Sequence, residues 1–499
     1  MRFQIVDFRL PICESASNRN SMTDPQNLPT AYSYDVLNRL KTLAFNGQNP
    51  AFGFGYDALC RRNSLTRPNG VNTTYTYDPA SSLLSVLHKL GTTAIDGASY
   101  TYDNAENRKT RTDKRLNSTL TYGYDNIYQL QTAKQGSTTK ESYTYDIVGN
   151  RLSSLGVTPY TYNTSNELMS TPSVSYAYDN NGSVLTKSDG TQYTWDYENE
   201  LTQVVLPGTG GTVNFKYDPL GRRAQKSFTQ SGTTTTTDYL YDGANRIEDV
   251  DVNGNLLARY VQGRGIDEPL EEIASGATSY HQQDGVGSVT SLSSTSGTIG
   301  SNTYTYDSYG NTTTGATVVN PFRYTGREFD TEIGIYAYRA RYYDQTVGRF
   351  LSEDPVRFKG GVNFYAYTLN DPLNWTDPFG LDTEVCVRPV TFPGLDNYSH
   401  TFLYSTEATT GYGLTTPPGW VPLVPFVPVP GRIEKDFPFG PDGKIKKNYQ
   451  CNTVSKDKCV ESCVNRKALE RPPHYYLGHY QCDTWAYDIL RQCKNECTQ

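Results

Sequence analysis

Tyr143-Thr144-Tyr145-Asp146-Ile147-Val148-Gly149-Asn150-Arg151-Leu152 is a phrase that most of this chain repeats. Side chains alternate along a strand, so the two rings of Tyr-x-Tyr share one face, and Tyr, Thr and Val suit a pleated surface. The aspartate then opens a turn, because its carboxylate can accept from backbone amides two residues on. The Gly149-Asn150 pair is expected to supply the positive-φ positions of a hairpin before the next strand starts.

Further copies end at Asp35, Asp78, Asp103, Asp125, Asp179, Asp196, Asp242 and Asp307. Where copies follow one another directly, from Asp78 through Asp146 and from Asp179 to Asp196, they lie roughly 17 to 25 residues apart, a period that signals stacked repeats. Such a unit cannot bury its apolar face alone, so the expectation is one continuous sheet and not several compact domains. Composition agrees. Of 499 residues only 36% are hydrophobic, while Tyr numbers 41 and Gly 42, a balance suited to a wall with polar surface on both sides. The net charge of −7 gives no reason to expect nucleic acid or an anionic membrane as partner of the whole chain. Residues 1–30 are polar and lack the apolar core of a cleavable signal. Val421–Pro430 is apolar but short and broken by prolines, so no membrane span is expected.

The repeated phrase resembles the YD repeat of the RHS (rearrangement hotspot) family, and the likeness runs over roughly residues 30 to 381. Its end is more specific: Gly334-Ile335-Tyr336-Ala337-Tyr338-Arg339-Ala340-Arg341-Tyr342-Tyr343-Asp344, then Gly348-Arg349-Phe350-Leu351-Ser352-Glu353-Asp354-Pro355, closing on Asp377-Pro378-Phe379-Gly380-Leu381. This is similar to the RHS core-associated segment. The resemblance implies a mainly β fold: a YD-repeat β-cocoon shell enclosing a small α+β C-terminal toxin domain. The expected divisions are a polar segment at 1–30, the shell at 31–320, the core-associated segment at 321–381 and the toxin domain at 382–499.

The same resemblance implies self-cleavage of the aspartic-protease type. Asp354 and Asp377 each precede a proline, and two carboxylates brought together cannot both ionise comfortably, so one keeps its proton and the pair can act as acid and base on a water. The cut carried over from the family falls between Leu381 and Asp382, and Arg341 matches the arginine that the cleavage needs. Arg339 and Arg349 are runner-up arginines, and Asp371-Pro372 reads as a turn. Asp-Pro pairs are ordinary turn formers without that context. The first motif here, Asp354-Pro355-Val356, departs from the family by lacking the Gly-Leu often found after the proline.

Beyond Leu381 the repeat stops, and seven of the nine cysteines follow: Cys386, Cys451, Cys459, Cys463, Cys482, Cys493 and Cys497. By count this segment carries 13 Lys and Arg against 13 Asp and Glu, unlike a typical phosphate-gripping nuclease. Cys459/Cys463 and Cys493/Cys497 have the i, i+4 spacing of one helix face. Disulfides 459–497, 463–493 and 386–451 are weighed above a zinc site, whose ligand spacing is usually shorter. Cys482 is then left unpaired. It precedes Thr484-Trp485-Ala486-Tyr487-Asp488-Ile489-Leu490, whose apolar spacing is helical, and a helix N-terminus favours a thiolate. His400 lies in an expected strand from Tyr398 to Tyr404.

That order resembles permuted papain-like folds of the NlpC/P60 and LRAT-like superfamily, which implies a cysteine hydrolase or transferase with Cys482 as nucleophile and His400 as base. The duller reading gives both residues packing roles. The rival functions are a nuclease toxin using His400, His474 and His479, and a non-enzymatic YD-repeat binding protein. No cofactor or metal is expected. The partners implied are a cognate immunity protein, delivery machinery for an effector made in a bacterial cytoplasm and secreted without a cleavable signal, and an unknown macromolecular substrate in the target cell.

Overall fold

The computed structural model describes residues 18–316, 318–356 and 362–381, and beyond them the strands Glu384–Pro389, Ser399–Tyr404, Thr409–Leu414, Gly431–Lys435 and Gln450–Thr453. Two compact units result: Arg2–Glu353 with Asn363–Gly380, and Asp354–Val362 with Leu381–Gln499.

The first unit is almost all β. Thirteen strands from Ser21–Thr23 to Arg151–Ser154 pair in chain order, each antiparallel to the last. Twelve more, from Tyr176–Tyr178 to Val289–Ser293, do the same. The expectation of one continuous sheet is corrected here. Between the two sheets stands only the pair Thr161–Tyr162 and Leu168–Ser170, flanked by the single bridges Ser154↔Val157 and Ser170↔Ser175. Pro159 and Pro172 interrupt this stretch, and proline has no amide to give to a ladder.

The Tyr-Asp phrase works through its turn, its register slip and the different tasks of its two tyrosines. Asp146 Oδ1 accepts from the amides of Val148 (3.0 Å) and Asn150 (2.8 Å), closing the turn. Gly149 takes φ +83°, but Asn150 does not enter the left-handed region, so the turn needs one such residue and not the expected pair. The register slips by one residue at the second tyrosine, between Thr144 and Tyr145, between Thr101 and Tyr102, and between Lys216 and Tyr217. Each slip adds right-handed twist to the ribbon. The first tyrosine is buried, as at Tyr100, Tyr143 and Tyr239. The second tyrosine donates its hydroxyl one hairpin back: Tyr77 to the Arg62 carbonyl (2.8 Å), Tyr102 to Leu83 (2.8 Å), Tyr124 to Arg108 (2.7 Å). Degenerate copies behave alike: Tyr56 and Tyr217, preceded by Phe54 and Phe215, reach Leu40 (2.9 Å) and Leu201 (2.8 Å).

Strands far apart in sequence meet along a polar seam. Gln48 donates to Glu271 (2.8 Å), Arg62 to Glu268 (2.5 Å), Arg67 to the His281 carbonyl (2.7 Å), and Thr290 and Ser291 to Asp96 (2.6 Å each). His88 Nε2 contacts the Gln283 carbonyl at 3.0 Å. Arg19 and Asp242 add a half-exposed ion pair.

The unit ends in the four-stranded sheet Glu328–Asp330, Ile335–Tyr338, Arg341–Asp344 and Arg349–Phe350. Tyr336, Tyr338, Tyr343, Phe350 and Tyr367 pack there with at most 1% exposure, in a single aromatic cluster that also holds Tyr324.

In the second unit, five antiparallel strands are ordered Gly431–Lys435, Thr409–Leu414, Ser399–Tyr404, Glu384–Pro389, Gln450–Thr453. The helices expected around Cys459–Cys463, Cys482–Leu490 and Cys493–Cys497 lie outside the described residues.

Candidate functional site

Arg341 starts the strand after a tight turn at Arg339 (φ +57°) and Ala340, with Tyr338 and Arg341 facing each other in register. Its guanidinium, 2% exposed, lies 3.6 Å over the Phe350 ring centre. Its edge nitrogens bond outward: Nε to the Gly380 carbonyl (2.6 Å), Nη1 to the Phe364 carbonyl (3.1 Å) and Nη2 to Asp377 Oδ2 (3.2 Å). The structure therefore brings Arg341 and Asp377 together, and Asp377 is itself buried.

The neighbours of Arg341 complete a clamp. The carbonyls of Pro378, Phe379 and Gly380 accept, in turn, from Arg339 Nη1, the Ala340 amide (3.1 Å) and Arg341 Nε (2.6 Å). Three successive residues thus hold three successive carbonyls leading to Leu381. Arg339 is fixed in turn by Asp267 (2.7 Å), which also binds Arg327 (2.5 Å). Gly380 is required on two counts: φ is +65°, and a Cβ would stand 2.3 Å from the Tyr338 carbonyl oxygen. The Ala340 amide and the tight fit at Gly380 escaped the sequence reading, since both depend on which backbone lies alongside. The Gly in Asp-Pro-Phe-Gly-Leu was the available signal.

Asp354 belongs to the other compact unit. It is 2% exposed, and its Oδ1 accepts from the Val356 amide at 2.8 Å, closing the Asp354-Pro355-Val356 turn. Leu381, in the same unit, is partly exposed, and Asp382 lies outside the described residues. Asp371 accepts from Asn374 Nδ2 (2.7 Å), while its carbonyl takes the Asn374 and Trp375 amides, which makes it a turn residue. Arg349 donates to the Asn166 carbonyl (2.5 Å) and is not part of the clamp.

His400 sits on the strand Ser399–Tyr404, opposite Arg388 in register. Cys386 on Glu384–Pro389 stands opposite Cys451 on Gln450–Thr453. Cys482, His474 and His479 lie outside the described residues. Among the described residues, no group of three His, Cys, Asp or Glu is arranged to hold a metal, and no helix is long and apolar enough to cross a membrane.

A meander of Tyr-Asp hairpins whose ribbon ends in an aromatic cluster defines a YD-repeat shell. The Teneurin YD-shell family profile matches residues 89–373, more than half of the chain, and the chain belongs to that family. The tRNA3(Ser)-specific nuclease WapA of Bacillus spizizenii is 31% identical over 311 residues, 60% of this chain and 11% of that protein. The double-stranded DNA deaminase toxin A of Burkholderia cenocepacia is 27% identical over 232 residues, 39% of this chain and 16% of that protein. The chain thus spans less than a fifth of either relative. The crystal structure of TcdB2-TccC3-TEV superposes with a TM-score of 0.62 over 74% of this chain and 21% of that one, at 22% identity, which shows likeness of fold.

Proposed function

We propose that this chain is the shell-bearing end of a polymorphic toxin, in which residues 31–320 and 321–381 wall in and release the segment 382–499. The observation that carries this reading is the clamp: Arg341 bonds both Asp377 and the Gly380 carbonyl, one residue before the bond between Leu381 and Asp382. Asp377 takes a proton from a water, the water oxygen adds to the Leu381 carbonyl carbon, and Asp354 protonates the departing Asp382 nitrogen. Water is thereby added across one peptide bond, and acid and base exchange roles to reset. Arg339, Ala340 and Arg341 hold the chain still, so the scissile bond is presented in one geometry. Intact-mass analysis and N-terminal sequencing of the purified chain test this: wild type gives a fragment starting at Asp382, and Asp377→Asn or Asp354→Asn gives one uncut chain. Cleavage that persists at Leu381 in either variant removes the aspartyl mechanism.

For the released segment, the reading we favour is a cysteine-dependent hydrolase or transferase of amides or esters, with Cys482 as nucleophile and His400 as base. It rests on the motif around Cys482 and on a histidine borne by a strand. The Cys386↔Cys451 register fits a cross-strand disulfide, because directly paired residues have Cα atoms within the span that a disulfide bridges. The second reading, an effector acting on nucleic acid, is favoured by the names of the two curated relatives. Their matched lengths, 311 and 232 residues, exceed the 118 residues after Leu381 (499 − 381), so the likeness is largely to the shell. Toxicity of the full chain with Cys482→Ala, measured in cells lacking an immunity partner, separates them. Loss supports the thiol mechanism, and full toxicity with degraded or deaminated nucleic acid supports the other. Delivery machinery and a cognate immunity protein belong to this proposal.

A further inference from the structure

Most inward cations of the shell meet a carboxylate: Arg62 meets Glu268, Lys187 meets Asp344, Arg223 meets Glu328 and Asp330, and Arg259 meets Glu248. Arg151 and Arg349 do not. They are 5% and 7% exposed, and both line one small gap of about 10 Å³ together with Asn150, Gly348 and Asn363. Rings cover the guanidinium faces. Arg151 lies 4.0 Å from the Tyr309 centre and 4.6 Å from that of Tyr143, and Arg349 lies 4.7 Å from Tyr365. Only the edges remain for hydrogen bonding. Among the described residues, Arg151 Nε and Nη2 and Arg349 Nε are buried without a partner. Of the buried arginines among the described residues, Arg151 alone has an unpartnered terminal nitrogen in addition to Nε.

The acceptors nearby are already taken. Asn150 Oδ1 accepts from Asn363 (2.9 Å), and Asn363 Oδ1 accepts from the Tyr365 amide (3.2 Å). Asp307 feels the Arg151 charge, yet its Oδ1 is on the amides of Tyr309 and Asn311 and its Oδ2 on the Asn311 side chain. A Cβ at residue 348 would fall 2.1 Å from Arg151 Nη2, so glycine keeps this space open. Two buried cations with unused donors on one gap form a cradle for a negative charge.

We propose that the gap between Arg151 and Arg349 holds one small monovalent anion of halide size. The ion ties the hairpin that bears Arg151 to the strand that bears Arg349, joining the repeat ribbon to the core-associated segment through a shared charge. A gap of about 10 Å³ has room for one particle about the size of a water molecule.

Crystals of the full chain transferred to sodium bromide provide the test, read by anomalous scattering. A bromide peak in hydrogen-bonding contact with Arg151 Nη2 and Arg349 Nε is expected. A gap without anomalous signal, or bromide on the outer surface only, overturns the proposal and leaves water as the occupant. In solution, unfolding in sodium chloride or bromide is expected at least about 2 °C above that in sodium sulfate of equal ionic strength after correction by an Arg349→Lys control, since a bound ion stabilises only the folded chain. An increment equal in wild type and Arg349→Lys overturns it as well. Should Arg349→Lys fail to fold, the wild-type anomalous map alone decides.

Discussion

The two long sheets and the segment from Pro321 to Gly380 both rely on tyrosine, in different ways. In the sheets, each second tyrosine ties one hairpin to the one before through a single hydroxyl, as Tyr77 does to Arg62 and Tyr102 to Leu83. Tyr338, Tyr343 and Tyr367 instead pack on one another, with ring centres 4.4 to 5.4 Å apart, while Tyr338 and Tyr367 share a hydroxyl contact. Repetition spreads stability over many small equal contacts, so no rung is decisive. The core-associated segment concentrates it in one constellation, where a single guanidinium serves a carboxylate and two carbonyls. The first arrangement tolerates degenerate copies such as Phe54-Gly55-Tyr56-Asp57. The second has no spare parts.

The sharpest way to break this contrast is Arg341→Ala. It removes the guanidinium that bonds a buried Asp377 and two carbonyls, and removal of one partner from a buried pair costs about 3–5 kcal/mol. Urea denaturation is expected to show a loss of that size together with abolished cleavage on gels. A loss below about 1 kcal/mol would mean that the clamp is no more critical than a rung.

Acid and base titration sharpens the comparison, because the seam and the ribbon's end hold opposite kinds of buried carboxylate. Burial pushes Glu272 up to about 8, assisted by the charge of Asp249, and burial pushes Glu271 up to about 7 despite Gln48. Burial also works against ionisation of Glu328, but Arg223, Arg246 and Arg327 outweigh it and hold that group far below its ordinary value. A carboxyl raised in the folded state contributes stability below its unfolded value near 4.5 and loses it as pH climbs through 7 to 8. His88 and His281, lowered to about 4 by burial, act the other way and lose stability as pH falls from 6.5 toward 4. The two trends offset each other between about pH 4.5 and 6.5. Above that the raised glutamates set the slope among the described residues, Glu141 and Glu200, pushed up to about 7 by burial, adding to Glu271 and Glu272. The melting temperature is expected to fall from pH 6.5 to 8.5, and Glu272→Gln is expected to flatten that slope. An unchanged slope would mean that Glu272 does not carry the pH sensitivity.

Gly380→Ala comes next. The positive φ and the 2.3 Å approach to the Tyr338 carbonyl predict about 1–3 kcal/mol of strain and a slower cut, followed by the rate of fragment appearance. The same change at Gly136, where φ is +59° and nothing stands within 4 Å, is expected to cost less and to leave cleavage untouched. Smallest is Tyr77→Phe, which removes one rung of 2.8 Å and is expected to cost about 0.5–1.5 kcal/mol by thermal unfolding. Tyr338→Phe, which loses contacts to both Thr325 (2.7 Å) and Tyr367 (3.2 Å), is expected to cost more.

The Tyr-Asp phrase announced strands, turns and antiparallel pairing because those contacts close within a few residues: Asp146 reaches Val148 and Asn150 whatever the rest of the chain does. The Asp377-to-Leu381 phrase was singled out differently, by its resemblance to the RHS core-associated segment, because its own contacts reach residues 36 to 39 positions away. The break between the sheets was harder to read, since Pro159 and Pro172 act only if the ladder would otherwise pass through them. The seam partners Arg62 and Glu268 lie 206 residues apart, and Arg341 and Gly380 lie 39 apart. No local pattern specifies such pairs. Which carboxylate meets which guanidinium, and which two arginines are left facing a gap, depends on how far the ribbon has twisted when it comes back upon itself. That twist sums small increments over many hairpins, so tertiary structure alone decided it.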